Sequence, residues 1–125
     1  MTTEEELVDE YPEIYQFYHE YDKQPAPQIH LYGFQHNEGW NWLIAELCEQ
    51  LDNLDVEIAV VQQKEKFGGL RFYHNGVSGD RAMEAMGAIR FAEKLSFQIC
   101  EECGESGELQ RDSWFRTRCE ECYEE

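Results

Sequence analysis

Basic residues are scarce in this chain: ten lysines and arginines stand against 27 aspartates and glutamates in 125 residues, a formal net charge of −17. Residues 1–57 hold Lys23 as their sole base against fourteen acids, whereas residues 58–125 hold nine bases against thirteen acids. Such a surface repels nucleic-acid backbone and anionic membrane except where one patch is locally basic, and it favours protein partners, basic ones among them. Long apolar runs are missing as well. No stretch reaches the roughly eighteen uncharged apolar residues of a membrane span, and the start, MTTEEELVDE, is acidic where a secretory leader is basic and then apolar. A cytoplasmic protein without membrane contact is expected. Histidine is sparse, at 19, 30, 36 and 74, with no metal-protease or deaminase spacing, and the carboxylates are too abundant to single out a catalytic pair. No enzyme is expected. His30 and His36 share the stretch HLYGFQH; aromatic packing is preferred there over a second metal.

Cysteine is also few, five in all, but unevenly placed. Cys100, Cys103, Cys119 and Cys122 follow C-x2-C-x15-C-x2-C, two short knuckles that each bring two thiolates to one tetrahedral ion. In a reducing compartment this spacing argues for a metal rather than disulfides. Four soft ligands and a closed shell point to structural zinc, ahead of an iron–sulfur centre or a redox dithiol. Gly104 lets the chain fold back after the first pair, and GELQRD and SWFRTR supply the two strands of a zinc ribbon. Arg111, Arg116 and Arg118 lie inside the loop that the metal closes. They offset the thiolates and Glu101, Glu102, Glu120 and Glu121, or they form a phosphate-binding face. The first reading is preferred, because the acids cancel the local potential within a Debye length of about 8 Å. Cys48 falls in a helical stretch and reads as a buried structural thiol rather than a nucleophile.

Leu7, Tyr11, Ile14, Tyr18 and Tyr21 recur at helical spacing, with a break expected at Pro12. Residues 1–22 carry eight acids and no base, so any helix there must offset like-charge repulsion by burying its stripe. Residues 23–39 read as a long connection packing through Ile29, Leu31, Tyr32 and Phe34. From Trp40 a helical period returns through Leu43, Ile44, Leu47 and Leu51. VEIAVVQQ and LRFYH flank KEKFGG as the strands of a hairpin. NGVSGD reads as a turn before a helix over 80–95 with Ala82, Met86, Ile89 and Phe91. The expected fold is α+β: a small single domain of helices packed on a β-hairpin, with a C-terminal zinc ribbon. Its expected segments are an acidic helical region and linker at 1–38, a core at 39–99 and the ribbon at 100–125.

The hairpin tip is a basic island. Lys64, Lys66 and Arg71 are interrupted by Glu65 alone, and Phe67, Phe72 and Tyr73 accompany them. Alternation places Leu70 and Phe72 on one face and Arg71 and Tyr73 on the other. The plainer reading is a tight turn whose lysines pair with the acidic N-terminal half. The candidate binding residues are Lys64, Lys66, Phe67, Arg71, Tyr73, Arg111, Arg116 and Arg118.

Gly39-Trp40, Leu47-Cys48, the run from Gln63 to Tyr73, Ala92-Glu93, Ser96, Cys100-x-x-Cys103-Gly104 and Trp114-x-x-Thr117-x-Cys119 together carry a resemblance. Over about residues 39–122 the chain resembles a family of small bacterial and phage-borne proteins. The specific element is Lys-Glu-Lys-Phe-Gly-x-Leu-Arg-Phe-Tyr. Members often end the second knuckle in His where this chain has Cys122, a change that keeps zinc binding and adds negative charge. The resemblance implies no activity, only a setting in bacteria and their phages.

The expected function is therefore that of a non-enzymatic zinc-binding protein acting through protein–protein interaction. In a phage setting it becomes an acidic inhibitor of a host nucleic-acid-binding or defence protein, imitating phosphate charge. The alternative is a zinc-ribbon nucleic-acid binder or transcription accessory using the hairpin tip and the ribbon arginines. A small enzyme of unrecognised type ranks third.

Overall fold

The structure, a computed structural model, describes residues 2–123; Met1, Glu124 and Glu125, which the expected end segments include, lie outside the described residues. Helix α1 (Glu4–Glu10) starts on a capping box: the Thr3 hydroxyl accepts from the Glu6 amide while the Glu6 carboxylate accepts from the Thr3 amide. Three acids in the first turn favour that end of the helix dipole. Pro12 disfavours helical geometry at Tyr11, and the helix stops there. Beyond it residues 12–19 run as turns, and the break rotates the buried face. Leu7, Tyr11 and Ile14 stay in the core, Val8 and Tyr15 join them, and Tyr18 and Tyr21 are only half-buried.

The expected connection contains two elements, α2 (Gln28–Tyr32) and the two-residue strand β1 (Phe34–Gln35). The short helix buries Ile29 and turns Leu31 and Tyr32 to solvent, contrary to the packing expected of them. A 3-10 turn at Glu38–Trp40 leads into α3 (Asn41–Asn53), which buries Leu43, Ile44, Leu47, Cys48 and Leu51. β2 (Glu57–Lys66) pairs antiparallel with β3 (Gly69–Ser78) and parallel with β1, giving the order β1-β2-β3. Phe67 and Gly68 make the two-residue turn with φ of 56° and 88°, a left-handed pair whose twist suits a hairpin. The hairpin outruns its expected strands, so Gly76 lies inside β3.

Helix α4 (Ala82–Leu95) packs through Ala85, Ile89 and Ala92. Met83 and Phe91 are exposed, and so in part is Met86, while the small Ala85 and Ala92 are buried with Ile89. The outer edge of β3 is covered from the same side. The Leu70 amide donates to the Ser96 hydroxyl and the Phe72 amide to the Glu93 carboxylate, each at 2.9 Å. One hydrophobic cluster joins α1, α3, α4 and the inner face of the sheet. The C-terminal ribbon pairs β4 (Glu108–Arg111) with β5 (Phe115–Arg118), followed by α5 (Glu120–Tyr123). The α+β expectation, helices on a hairpin with a cysteine-bearing ribbon, matches this architecture. Among the described residues no helix is long and apolar enough to cross a membrane.

Candidate metal centre and the face beside it

The first knuckle folds because Gly104 takes φ 83°, so that its amide donates to the Cys100 carbonyl at 2.9 Å while the Cys100 amide donates to Glu105 at 2.7 Å. A side chain at Gly104 would also crowd the carbonyl of Gly39 and the ring of Trp42. The second knuckle opens α5, where the Tyr123 amide returns to the Cys119 carbonyl. The four sulfurs lie within 4.8 Å of one another. Cys103 Sγ and Cys119 Sγ stand 3.6 Å apart, against the ~3.8 Å edge of a tetrahedron with zinc–sulfur bonds of about 2.3 Å and far beyond a ~2.05 Å disulfide. These residues can hold a metal ion, and the donor set is compatible with zinc.

The thiols are poised unequally. Burial pushes Cys100 up, but backbone N–H groups of Cys103, Cys119 and Glu102 outweigh it and bring the thiol down to about 7. Cys103 is raised: the Glu105 amide pulls it down, yet burial and the Cys100 and Cys119 sulfurs prevail. Cys122 is raised chiefly by the Cys119 sulfur beside it. Without a cation four sulfurs so close resist ionising together; a dication removes that obstacle.

Glu101 ties this centre to the helical core. Its carbonyl accepts from the Gly39 amide at 2.7 Å, and its amide donates to the Thr117 carbonyl at 3.1 Å. Its buried carboxylate accepts from the Asn37 amide at 2.9 Å and pairs with Arg118 at 3.1 Å. Next to it the Trp40 indole donates to the Ile99 carbonyl and the Trp42 indole to that of Gly104. Arg118 thus offsets a glutamate of the knuckle, as the preferred reading of the arginines expects, and its side chain is largely buried. The sequence marks Glu101 only as one of the acids that the arginines offset; its bonds to Asn37 and Gly39 are not legible there, because it is one of 27 acids and those two partners lie more than sixty residues upstream.

The other candidate binding residues fall into two groups. Thr117 donates to the Gly68 carbonyl at 2.7 Å, which docks the hairpin turn on the ribbon. This brings Phe67 against Phe115 edge to face, 6.4 Å between centroids, with Lys66 over the Phe67 ring and Arg111 over that of Phe115. Arg116 lies over Tyr123. A cleft of about 490 Å³ opens here between Glu65, Phe67, Ser113, Trp114 and Phe115. Trp114 is 72% exposed and Phe67 64%. In the sequence Trp114 and Phe115 stand out only as strand residues, Trp114 also as part of the resemblance; their place between Arg111 and Arg116 was the available signal for an interaction site. Lys64, Arg71 and Tyr73 occupy the outer face of the hairpin instead, while Leu70 and Phe72 are buried as alternation expects.

Pairing of the hairpin lysines with the acidic N-terminal half does not form: the ion pairs among the described residues are Arg81–Glu84 and Arg118–Glu101. His30 and His36 are not joined in a metal-binding group. His36 stacks on Phe34 and takes part in a buried chain running from Cys48 through the Tyr15 hydroxyl and Gln63 to the His36 ring. Comparison with family models, curated proteins and solved structures returned no match.

Proposed function

We propose that this chain is a non-enzymatic protein, cytoplasmic in a bacterial cell, whose metal is zinc in a structural role and whose work is to bind another protein. Four thiolates at tetrahedral spacing favour zinc and leave no open position for a substrate. The observation that carries the binding role is the aromatic cleft beside the metal centre. Phe67 holds a left-handed backbone conformation that a bulky residue adopts at a cost, yet its ring is exposed beside Trp114 and Phe115. Exposed aromatics at a rigid junction, rimmed by Lys66 and Arg111, have the composition of an interaction hot spot.

Charge indicates the kind of partner. The exposed acids of α1, among them Glu5, Glu6, Asp9 and Glu10, are held on a helix anchored by Leu7 and Val8. Such a face accelerates encounter with a basic protein. In the bacterial or phage setting implied by the resemblance, this reading makes the chain an acidic inhibitor of a host nucleic-acid-binding or defence protein, its carboxylates standing in for phosphates. The test is affinity capture from bacterial lysate with the intact chain and with a Phe67→Ala/Trp114→Ala variant, followed by kinetics with the purified partner. A basic partner is expected, with association slowing as salt rises and dissociation accelerated at least about tenfold in the variant. Equal capture and equal kinetics for both proteins would overturn the reading.

A further inference from the structure

We propose that the outer face of the hairpin is a site for single-stranded nucleic acid, a second surface centred on Lys64, Arg71 and Tyr73 that adjoins the aromatic cleft at Lys66 and Phe67. Lys64 lies directly opposite Arg71 in the β2–β3 register. Like charges at such positions repel, and here neither cation has an ion-pair partner among the described residues. In a chain with 27 acids, two facing cations left without a carboxylate are an anomaly that a polyanion would resolve. The Nε of Arg71 is buried and has no hydrogen-bond partner.

The register defines the rest of the face. Gln62 is opposite Tyr73, Lys66 follows Lys64 on the same side, and Gln35 of β1 sits beside Lys64. These residues are two amides, three cations and one aromatic ring, with no carboxylate. Neighbouring acids are engaged elsewhere: Glu65 accepts from the Gly68 amide at 2.7 Å and Glu93 from the Phe72 amide at 2.9 Å. Tyr73 is 40% exposed and borders a cleft of about 260 Å³ with Met86 and Arg90; at the opposite end of the face stands the Phe67 ring. Cations for phosphates between aromatic surfaces for bases are the elements of a stacking platform, and an open sheet face suits an unpaired strand better than a duplex groove. The amides of Gln35 and Gln62, linked at 3.3 Å, add donors and acceptors for base edges. The negative remainder of the surface opposes a polyanion, but that opposition is screened beyond about 8 Å at physiological ionic strength, which leaves local contacts to decide.

The experiment is fluorescence anisotropy with labelled oligothymidylate, oligouridylate and a DNA duplex, across ionic strengths, on zinc-loaded protein. Single strands are expected to bind more tightly than the duplex. The log–log salt slope should be near −2, from three cations at roughly −0.7 each. Lys64→Ala/Arg71→Ala should make the slope shallower by about 1.4, Tyr73→Ala should weaken binding roughly tenfold at unchanged slope, and Trp114→Ala should change nothing. Metal content and melting midpoint verify the fold of each variant. Absence of binding at low salt, or binding indifferent to Lys64 and Arg71, would overturn the proposal. So would poly-glutamate binding that needs the two cations but not Tyr73, which would assign the face to an acidic protein segment. Because Trp114 serves the cleft and not this face, either reading can fail while the other stands.

Discussion

The Thr117 hydroxyl donates to the carbonyl of Gly68 across 2.7 Å, and both residues are buried. Through this bond a strand of the cysteine-bearing ribbon holds the turn of the hairpin. Gly68 also approaches the ribbon so closely that a side chain there would strike Leu109. Thr117→Val keeps the shape, removes the donor and leaves the Gly68 carbonyl unsatisfied. A loss of about 1–3 kcal/mol is expected in urea unfolding, with metal content unchanged. A variant as stable as the parent would mean that the hairpin turn and the ribbon are not coupled.

Gly39 occupies a second such contact, against the first knuckle. An added Cβ would overlap the carbonyl oxygens of Cys100 and Glu101, which are backbone atoms and cannot swing aside. Gly39→Ala is therefore expected to cost about 1–3 kcal/mol and to weaken metal binding in competition with a chelator, although residue 39 is not one of the four cysteines. The knuckle hangs on Gly39, Trp40 and Trp42, so removal of the metal should also loosen the start of α3. Hydrogen exchange at those amides, with and without chelator, measures this. Protection unaffected by chelation would show the metal centre to be an independent appendage.

Much of this was legible in sequence because the signals are local. The cysteine spacing announces the metal site, apolar residues at helical intervals mark α3, and β-branched strands around KEKFGG mark the hairpin. What escaped is non-local or hidden by composition. Nothing near Glu101 shows that it will bond Asn37 and Gly39, since that contact exists only once the ribbon has docked. Two-residue β1 is too short to have a period and is a strand only because β2 pairs with it. The buried face of α4 was not legible either, because its bulky apolar residues Met86 and Phe91 are exposed while the small Ala85 and Ala92 are buried with Ile89.

The five thiols should divide four to one. Burial pushes the Cys48 thiol up to about 12, despite the opposing hydrogen bond with Tyr15, so it should stay protonated and unreactive in the folded chain. In the metal-loaded protein a thiol reagent at neutral pH should find almost nothing. A chelator should release four reactive groups, and denaturant the fifth. At alkaline pH this burial costs stability: the raised thiol contributes fully below the unfolded value of about 8.5, and the contribution is lost as pH rises from there towards about 12. Rapid labelling of Cys48 in the native state would contradict its burial.

The most informative titration is that of His36. Burial lowers its imidazole below the ordinary value; the Asn37 carbonyl and the more distant Glu101 and Glu4 carboxylates pull the other way without prevailing. Its Nδ1 lies 2.8 Å from the Asn37 carbonyl, which can only accept, so the other nitrogen is left to accept from the Gln63 amide at 2.9 Å. Protonation would set a donor against a donor there and disturb Gln63, which also accepts from the Tyr15 hydroxyl at 2.7 Å. Since the folded value lies below the unfolded one of about 6.5, the contribution is present above that pH. It is lost as pH falls through the folded value, because the unfolded chain then binds the extra proton. Unfolding free energies should therefore decline from pH 7 downward, and His36→Gln should decline less. Carboxylates titrate in the same direction at lower pH, so the difference between the two proteins, with zinc content checked at each point, is the quantity to follow. Parallel stability profiles, or a His36 imidazole that titrates by NMR at or above the ordinary histidine value, would remove the buried chain from any account of acid sensitivity.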